Sequence, residues 1–112
     1  MPARLRTADP AEVEEALGAD PRSPEQTRLL VKHFLAVLAE RAPGRSVEVR
    51  VPPYAAAQVI PGVRHTRGTP PAVVEMDADT WIGLASGSLA WPDAQVSASG
   101  ERADLSAYLP LL

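Results

Sequence analysis

The chain has 112 residues, the length of a single domain with one hydrophobic core. Its net charge of −3 gives no indication of a nucleic-acid-binding surface, and the absence of cysteine excludes disulfides, thiolate nucleophiles and zinc–thiolate sites. No apolar run is long enough to span a bilayer, and the first residues do not resemble a secretory signal. We therefore expect a cytoplasmic protein with no membrane span.

Two helices are predicted in the first third of the chain. Asp9 is a favoured N-cap residue type and Gly18 a favoured helix end, so a short helix is expected between them. The sequence Ser23-Pro-Glu-Gln26 is a capping box that starts a longer helix, which extends to about Ala42. Apolar residues recur at helical spacing over residues 30–38 and form a wide stripe, which is typical of a helix packed on a sheet.

Strands are predicted in the rest of the chain. Residues 46–51 alternate between valine and polar residues, which predicts a strand with one buried face. Residues 55–60, 72–76 and 95–99 are predicted as further strands, and residues 63–65 as a short additional one.

Two more helices complete the prediction. Asp77 caps a helix that ends at Gly87, and a short helix is expected at 102–109. Short connections favour antiparallel pairing, so the order of elements predicts an α+β fold with helices on one side of a mostly antiparallel sheet. We divide the chain into an N-terminal extension, residues 1–22, and a domain over residues 23–112.

The sequence contains no recognisable catalytic motif. It has neither a nucleophile elbow nor a glycine-rich phosphate loop, and neither histidine has a second ligand at metal-binding spacing. We therefore expect no enzymatic activity, no metal and no cofactor. The cations Arg64, His65 and Arg67 form a candidate anion-binding segment. A structural role for this loop, with Arg67 paired to a nearby carboxylate, is the favoured interpretation.

Residues 64–110 resemble a known family. The motifs that carry the resemblance are Arg67-Gly-Thr-Pro-Pro-Ala-Val-Val-Glu75, Thr80-Trp81, Ala85-Ser86-Gly87, Leu89-Ala-Trp91, Ala98-Ser-Gly-Glu-Arg-Ala-Asp-Leu-Ser106 and Leu109-Pro110. Together they are similar to the small bacterial branch of the sterol carrier protein (type two) family. The segment between Trp91 and Val96 is shorter than is common in that family.

The resemblance implies a five-stranded, largely antiparallel sheet with helices on one face, and an apolar tunnel between the layers that holds lipids, fatty acyl chains or sterols. It carries over no catalytic residues. The candidate ligand-binding residues are the apolar ones expected around such a tunnel: Phe34, Val37, Leu38, Trp81, Leu84, Trp91 and Tyr108. The alternative is a structural or interaction module without a ligand, acting as a homodimer or as the partner subunit of a larger enzyme.

The carrier hypothesis requires a gap between the helix face at 30–38 and the sheet. An empty cavity costs about 24 cal/mol per Å3, so a ligand-sized space of about 300 Å3 would cost roughly 7 kcal/mol. That is comparable with the total stability of a small domain, about 5–15 kcal/mol. Such a gap is therefore expected only if a guest molecule fills it or if the space readily collapses.

Overall fold

The computed structural model describes residues 5–62, 72–100 and 103–112. These residues form seven helices and strands: α1 (Pro10–Gly18), α2 (Pro24–Arg41), β1 (Val47–Val51), β2 (Ala55–Val59), β3 (Ala72–Glu75), α3 (Ala78–Ser86) and β4 (Ser97–Ser99). Two single turns of 3-10 helix lie at Trp91–Asp93 and Ser106–Tyr108.

The three helix starts are confirmed, and each is capped by the predicted side chain. The carboxylate of Asp9 accepts a hydrogen bond from the amide of Ala11, and that of Asp77 from the amide of Thr80, both at 2.8 Å. Ser23 and Gln26 form the reciprocal bonds of a capping box. These bonds satisfy amide groups that the first turn of a helix leaves without partners.

The four described strands form one mixed sheet in the order β2-β1-β3-β4. β1 and β2 pair as an antiparallel hairpin, with Val49 opposite Ala57. β1 and β3 are parallel, with Val49 beside Val74, and β4 is antiparallel to β3. β1 is therefore an inner strand. It is flanked by β2, which is close to it in the sequence, and by β3, which is more distant in the sequence.

The prediction of five strands in a largely antiparallel sheet is not matched. The described residues form four strands, and the central pair is parallel. The prediction assumed that neighbouring strands in the sequence pair with one another, whereas β2 returns the chain to the end of the sheet where β1 begins and β3 then pairs with the other edge of β1. The additional strand predicted at 63–65 lies outside the described residues.

The C-terminal elements are shorter than predicted. The last strand was expected over residues 95–99 but begins at Ser97. The helix expected at 102–109 is a single 3-10 turn at Ser106–Tyr108 in the part of it that the structure describes. Pro110 follows after Leu109, and a proline cannot continue a helical hydrogen-bond pattern, so the segment is held by other contacts. Leu111 donates its amide to the carbonyl of Ala85 at 2.8 Å, and its side chain is buried.

One face of the sheet carries the hydrophobic core. The side chains of Val47, Val49 and Val51 are fully buried against the helices, as their alternation predicts. On the opposite face, Glu48 and Arg50 form an ion pair at 2.9 Å, with 25% and 48% of their side chains exposed. The helices therefore cover a single face of the sheet.

The connection from α2 to β1 is fixed by an unusual backbone conformation at Ile60. This β-branched residue has a left-handed φ of 72°, which costs about 1–2 kcal/mol. Its amide donates to the carbonyl of Ala42, and its own carbonyl accepts from both the amide and the hydroxyl of Ser46. Gly44 lies against this carbonyl so closely that a Cβ atom there would overlap the Ile60 backbone. The corner is thus held by a hydrogen-bond network that requires glycine at position 44.

Candidate functional site

Among the clefts that described residues line, four differ clearly in chemistry. The largest, about 920 Å3, is polar and lies between the α1–α2 connection and the start of α3, with Asp20, Asp77 and Asp79 on its walls. A neighbouring cleft of about 690 Å3 runs toward β4, and one of about 420 Å3 between α1 and α2 is lined mostly by acidic and amide side chains.

The fourth cleft has the highest proportion of apolar residues and is called the α1 cleft here. Its volume is about 390 Å3, and its lining residues are Pro10, Val13, Glu14, Leu17, His33 and Leu112. This volume lies within the range of about 300–1,000 Å3 that is usual for small-molecule sites. Leu112 is also the most exposed large apolar side chain among the described residues, with 68% of its surface accessible.

Helix α1 forms one wall of this cleft. Val13 and Leu17 are four residues apart and lie on the same face of the helix, Val13 against the core and Leu17 half-exposed. The far end of α1 is fixed by Arg22, whose guanidinium donates to the carbonyls of Ala16 at 2.9 Å and Leu17 at 3.2 Å. These bonds add to the one that the Ala16 carbonyl accepts from the Ala19 amide, and together they hold the end of this wall in place.

His33 on α2 forms the opposite wall and has a defined tautomer. Its Nδ1 atom accepts a hydrogen bond from the amide of Ala8 at 2.9 Å, which requires a lone pair on Nδ1 and places the ring proton on Nε2. Burial lowers the pKa of His33, and the negative charge of Glu40 opposes this only in part. The ring is therefore neutral at pH 7, and its edge-to-face contact with Phe34, with centroids 5.1 Å apart, orients it.

The surroundings of His33 Nε2 differ from those of Nδ1. No described residue accepts a hydrogen bond from it, and the described part of the chain has no buried side-chain nitrogen without a partner. His33 and Glu14 both belong to the lining of the α1 cleft, but the surface that the cleft exposes is almost entirely apolar.

The predicted pocket residues occupy a different place. Phe34, Leu38, Trp81 and Leu84 are at most 1% exposed and belong to one core cluster with the β1 valines. The indole Nε1–H of Trp81 donates to the carbonyl of Val31 at 3.2 Å, so even its polar atom is satisfied by the protein. These four side chains fill the space between the helices and the sheet, and they line none of the four clefts.

The three remaining predicted pocket residues are half-buried. Val37, Trp91 and Tyr108 pack against the edge of the core and likewise line none of the four clefts. The candidate anion-binding residues Arg64, His65 and Arg67 lie outside the described residues, so the structure does not address their role.

Neither a metal site nor a membrane-spanning helix is found among the described residues. Over residues 5–62, 72–100 and 103–112, no three His, Asp or Glu side chains lie close enough together to hold a metal ion. None of the helices in these ranges is long and apolar enough to cross a membrane.

The α1 cleft was missed in the sequence. Its residues come from α1, the middle of α2 and the end of the chain, and no local pattern brings these three segments together. Two signals were nonetheless present: the i, i+4 pair Val13 and Leu17 on the first helix, and a histidine at the border of the α2 stripe.

The fold and its clefts define a small α+β protein with a helical layer on one face of an open mixed sheet. The family model described as bacterial SCP ortholog, where SCP stands for sterol carrier protein, matches residues 23–111. The chain belongs to this family, and the resemblance predicted from residues 64–110 is confirmed. No curated protein matches the sequence significantly.

Proposed function

We propose that this protein is a non-catalytic binding protein for an apolar small molecule, such as a fatty acyl chain. Membership of the bacterial sterol carrier protein family supports a lipid-carrier role. The observation that carries the proposal is the α1 cleft, because it presents Val13, Leu17 and Leu112 around a space large enough for such a molecule. Filling it requires no displacement of the core.

The interior between helices and sheet was the site predicted from the sequence, and the packing there argues against it. Burial of each large apolar side chain contributes about 1.5–3 kcal/mol. A guest beneath α2 would have to displace fully buried side chains such as Phe34 and Leu38. The α1 cleft is already open, so binding there gains apolar contact without this loss.

Methyl-resolved NMR with methyl octanoate as the probe tests the proposal. Shift changes are expected for the methyl groups of Val13, Leu17 and Leu112 and not for those of Leu30 and Val49 in the core. A Leu17→Trp variant fills the cleft and should lose binding. Leu29→Trp, a half-buried position on α2 outside this cleft, is the matched control and should retain it.

Two outcomes would contradict the proposal. Changes confined to Leu30, Val49 and their core neighbours would place the ligand between helix and sheet instead. No change at any methyl group at the solubility limit of the probe would contradict ligand binding itself.

The second candidate function is a structural or interaction module without a ligand. The completeness of the core favours it, because the aromatic residues proposed to surround a guest, Phe34 and Trp81, are fully buried by the protein's own side chains. A dimer or a stable complex in analytical ultracentrifugation, together with no uptake of methyl octanoate, would support this alternative.

A further inference from the structure

Helix α2 has a second covered face, on the side that points away from the sheet. Leu29, His33 and Ala36 are spaced four and three residues apart, so they lie on one face of the helix. Ala36 is only 3% exposed, and the other two residues are half-buried. Another part of the chain therefore covers this face.

The cover is the segment of residues 5–18, which consists of α1 and the residues before it. Helix α1 packs against α2. Val13 lines the α1 cleft together with His33, and Ala16 lines the neighbouring cleft of about 420 Å3 together with Leu29. The outer face of α2 is thus buried by the N-terminal segment, whereas its inner face is buried by the sheet.

Few groups attach this segment to α2. Val13 and Ala16 are the only side chains of residues 5–18 that are buried. Among the hydrogen bonds of the described residues, one joins the segment to α2, from the Ala8 amide to His33 Nδ1 at 2.9 Å. The two bonds from Arg22 end on carbonyls of α1, so they tie the helix to its own connection and not to α2.

The rest of the domain does not depend on this segment for its core. The family match begins at residue 23, so it contains α2, α3 and all four strands but not α1. A region with few buried contacts opens at a lower free energy than the core of the same protein. A helix of nine residues is not stable alone in water, so α1 unfolds when it leaves α2.

We propose that residues 5–18 form a lid that leaves α2 as a unit while the helix–sheet core stays folded, and that the docked lid is the ligand-binding state. Opening removes Val13 and Leu17 from the α1 cleft and so dismantles one of its walls. A ligand that contacts both walls binds only the docked lid and shifts the equilibrium toward it. This coupling rests on the proposed function, whereas the opening itself does not.

Native-state hydrogen exchange of the full chain, followed by NMR, tests the opening. After correction for intrinsic rates, the amides of residues 13–17 should exchange at least about a hundredfold faster than those of Val47 and Val49. Their exchange should depend little on urea, because lid opening exposes a small surface. The amides of residues 13–17 should also share one opening constant. Protection that declines steadily along α1 would indicate fraying of the helix end and would overturn the lid.

Two matched valine variants separate lid opening from global unfolding. Val13→Ala weakens docking and should accelerate α1 exchange about tenfold, for the loss of two buried methyl groups. Val49→Ala weakens the core equally in both lid states, so it should accelerate β1 exchange about tenfold or more and leave α1 exchange unchanged. Acceleration of both regions by Val49→Ala would mean that α1 and the core open together, which contradicts the proposal. Should Val49→Ala not fold, the urea dependence in the wild type decides, and equal slopes for α1 and β1 reject the lid.

Methyl octanoate as the probe tests the coupling. At a free concentration ten times its dissociation constant, it should slow the exchange of residues 13–17 about elevenfold, because it binds only the docked lid. A bound probe that leaves α1 exchange unchanged would overturn the coupling while apolar binding stands. If no methyl group responds to the probe, the proposed function fails and the coupling with it, and exchange without the probe still decides whether the lid opens.

Discussion

The helix–sheet core and the α1 cleft are both apolar, yet they are built differently. In the core, side chains such as Phe34 and Trp81 come from distant elements and are fully buried. In the α1 cleft, Leu17 is half-exposed and Leu112 is 68% exposed, around open space. Apolar composition alone therefore does not identify a binding site. What distinguishes the two regions is whether the apolar groups already satisfy one another.

The largest expected effect tests whether the core is as closely packed as this comparison requires. Trp81→Ala should destabilise the protein by about 3–5 kcal/mol, because it removes a fully buried side chain and its hydrogen bond to Val31. Trp91 offers a matched control, since it is half-buried on a 3-10 turn, and Trp91→Ala should cost about 1 kcal/mol or less. Urea denaturation gives both values.

Equal losses for the two tryptophan variants would break the comparison. A Trp81→Ala cost near that of Trp91→Ala would mean that the interior relaxes easily around a missing side chain. A guest between the helices and the sheet would then be physically reasonable.

The substitution of glycine by alanine should have opposite effects on stability at the α2–β1 connection beside the core and at the end of α1. Gly44→Ala should destabilise by about 1–3 kcal/mol, because the new methyl group overlaps the Ile60 backbone and displaces the carbonyl that Ser46 binds. Gly18→Ala, at the end of α1, meets no atom within 4 Å and should stabilise by about 0.4–1 kcal/mol. Thermal unfolding of the two variants measures the difference, and a loss for Gly18→Ala would show that α1 is more tightly constrained than it appears.

The smallest expected effect is the pH dependence of stability that His33, on the wall of the α1 cleft, contributes. Burial lowers the folded-state pKa of His33 below its ordinary value of about 6.5, so the unfolded chain binds the proton more readily. Stability is therefore retained above about pH 6.5 and falls as pH decreases from there toward the folded-state pKa. The lost bond is the one from the Ala8 amide, which a protonated ring cannot accept.

The melting temperature at pH 7.5 and pH 5.5 measures this effect in the wild type and in His33→Gln. The wild type should lose more on acidification, since glutamine does not titrate and every other ionisable group is common to both proteins. An identical loss in the two proteins would show that protonation of His33 does not differ between the folded and unfolded states.

Local sequence signals predicted the elements well and their long-range arrangement poorly. The caps at Asp9, Ser23 and Asp77 and the alternation of β1 are properties of a few adjacent residues, so they can be recognised without knowledge of the fold. The parallel pairing of β1 with β3 depends on which strand β3 pairs with after the chain has passed through residues 52–71. No local sequence pattern encodes that choice.

The candidate site illustrates the same limit. Large apolar residues such as Phe34 and Trp81 were predicted to surround a ligand because they are apolar, but whether they do depends on how completely they contact each other. The α1 cleft forms because His33 on α2 lies close to α1 and to Leu112, both of which are distant from it in the sequence. Only the three-dimensional packing shows that these segments are close to one another.

The position of β1 between β2 and β3 also has a consequence for the order of folding. Pairing with β2 closes a turn of residues 52–54, whereas pairing with β3 spans residues 52–71, of which 60–71 remain to be closed once the hairpin has formed. Loop-closure entropy rises with loop length, and hairpins form within about 1–10 μs, so the hairpin half of the sheet is expected to assemble first. The parallel half then adds to a preformed template, which makes β3 docking the slower, topology-limited step.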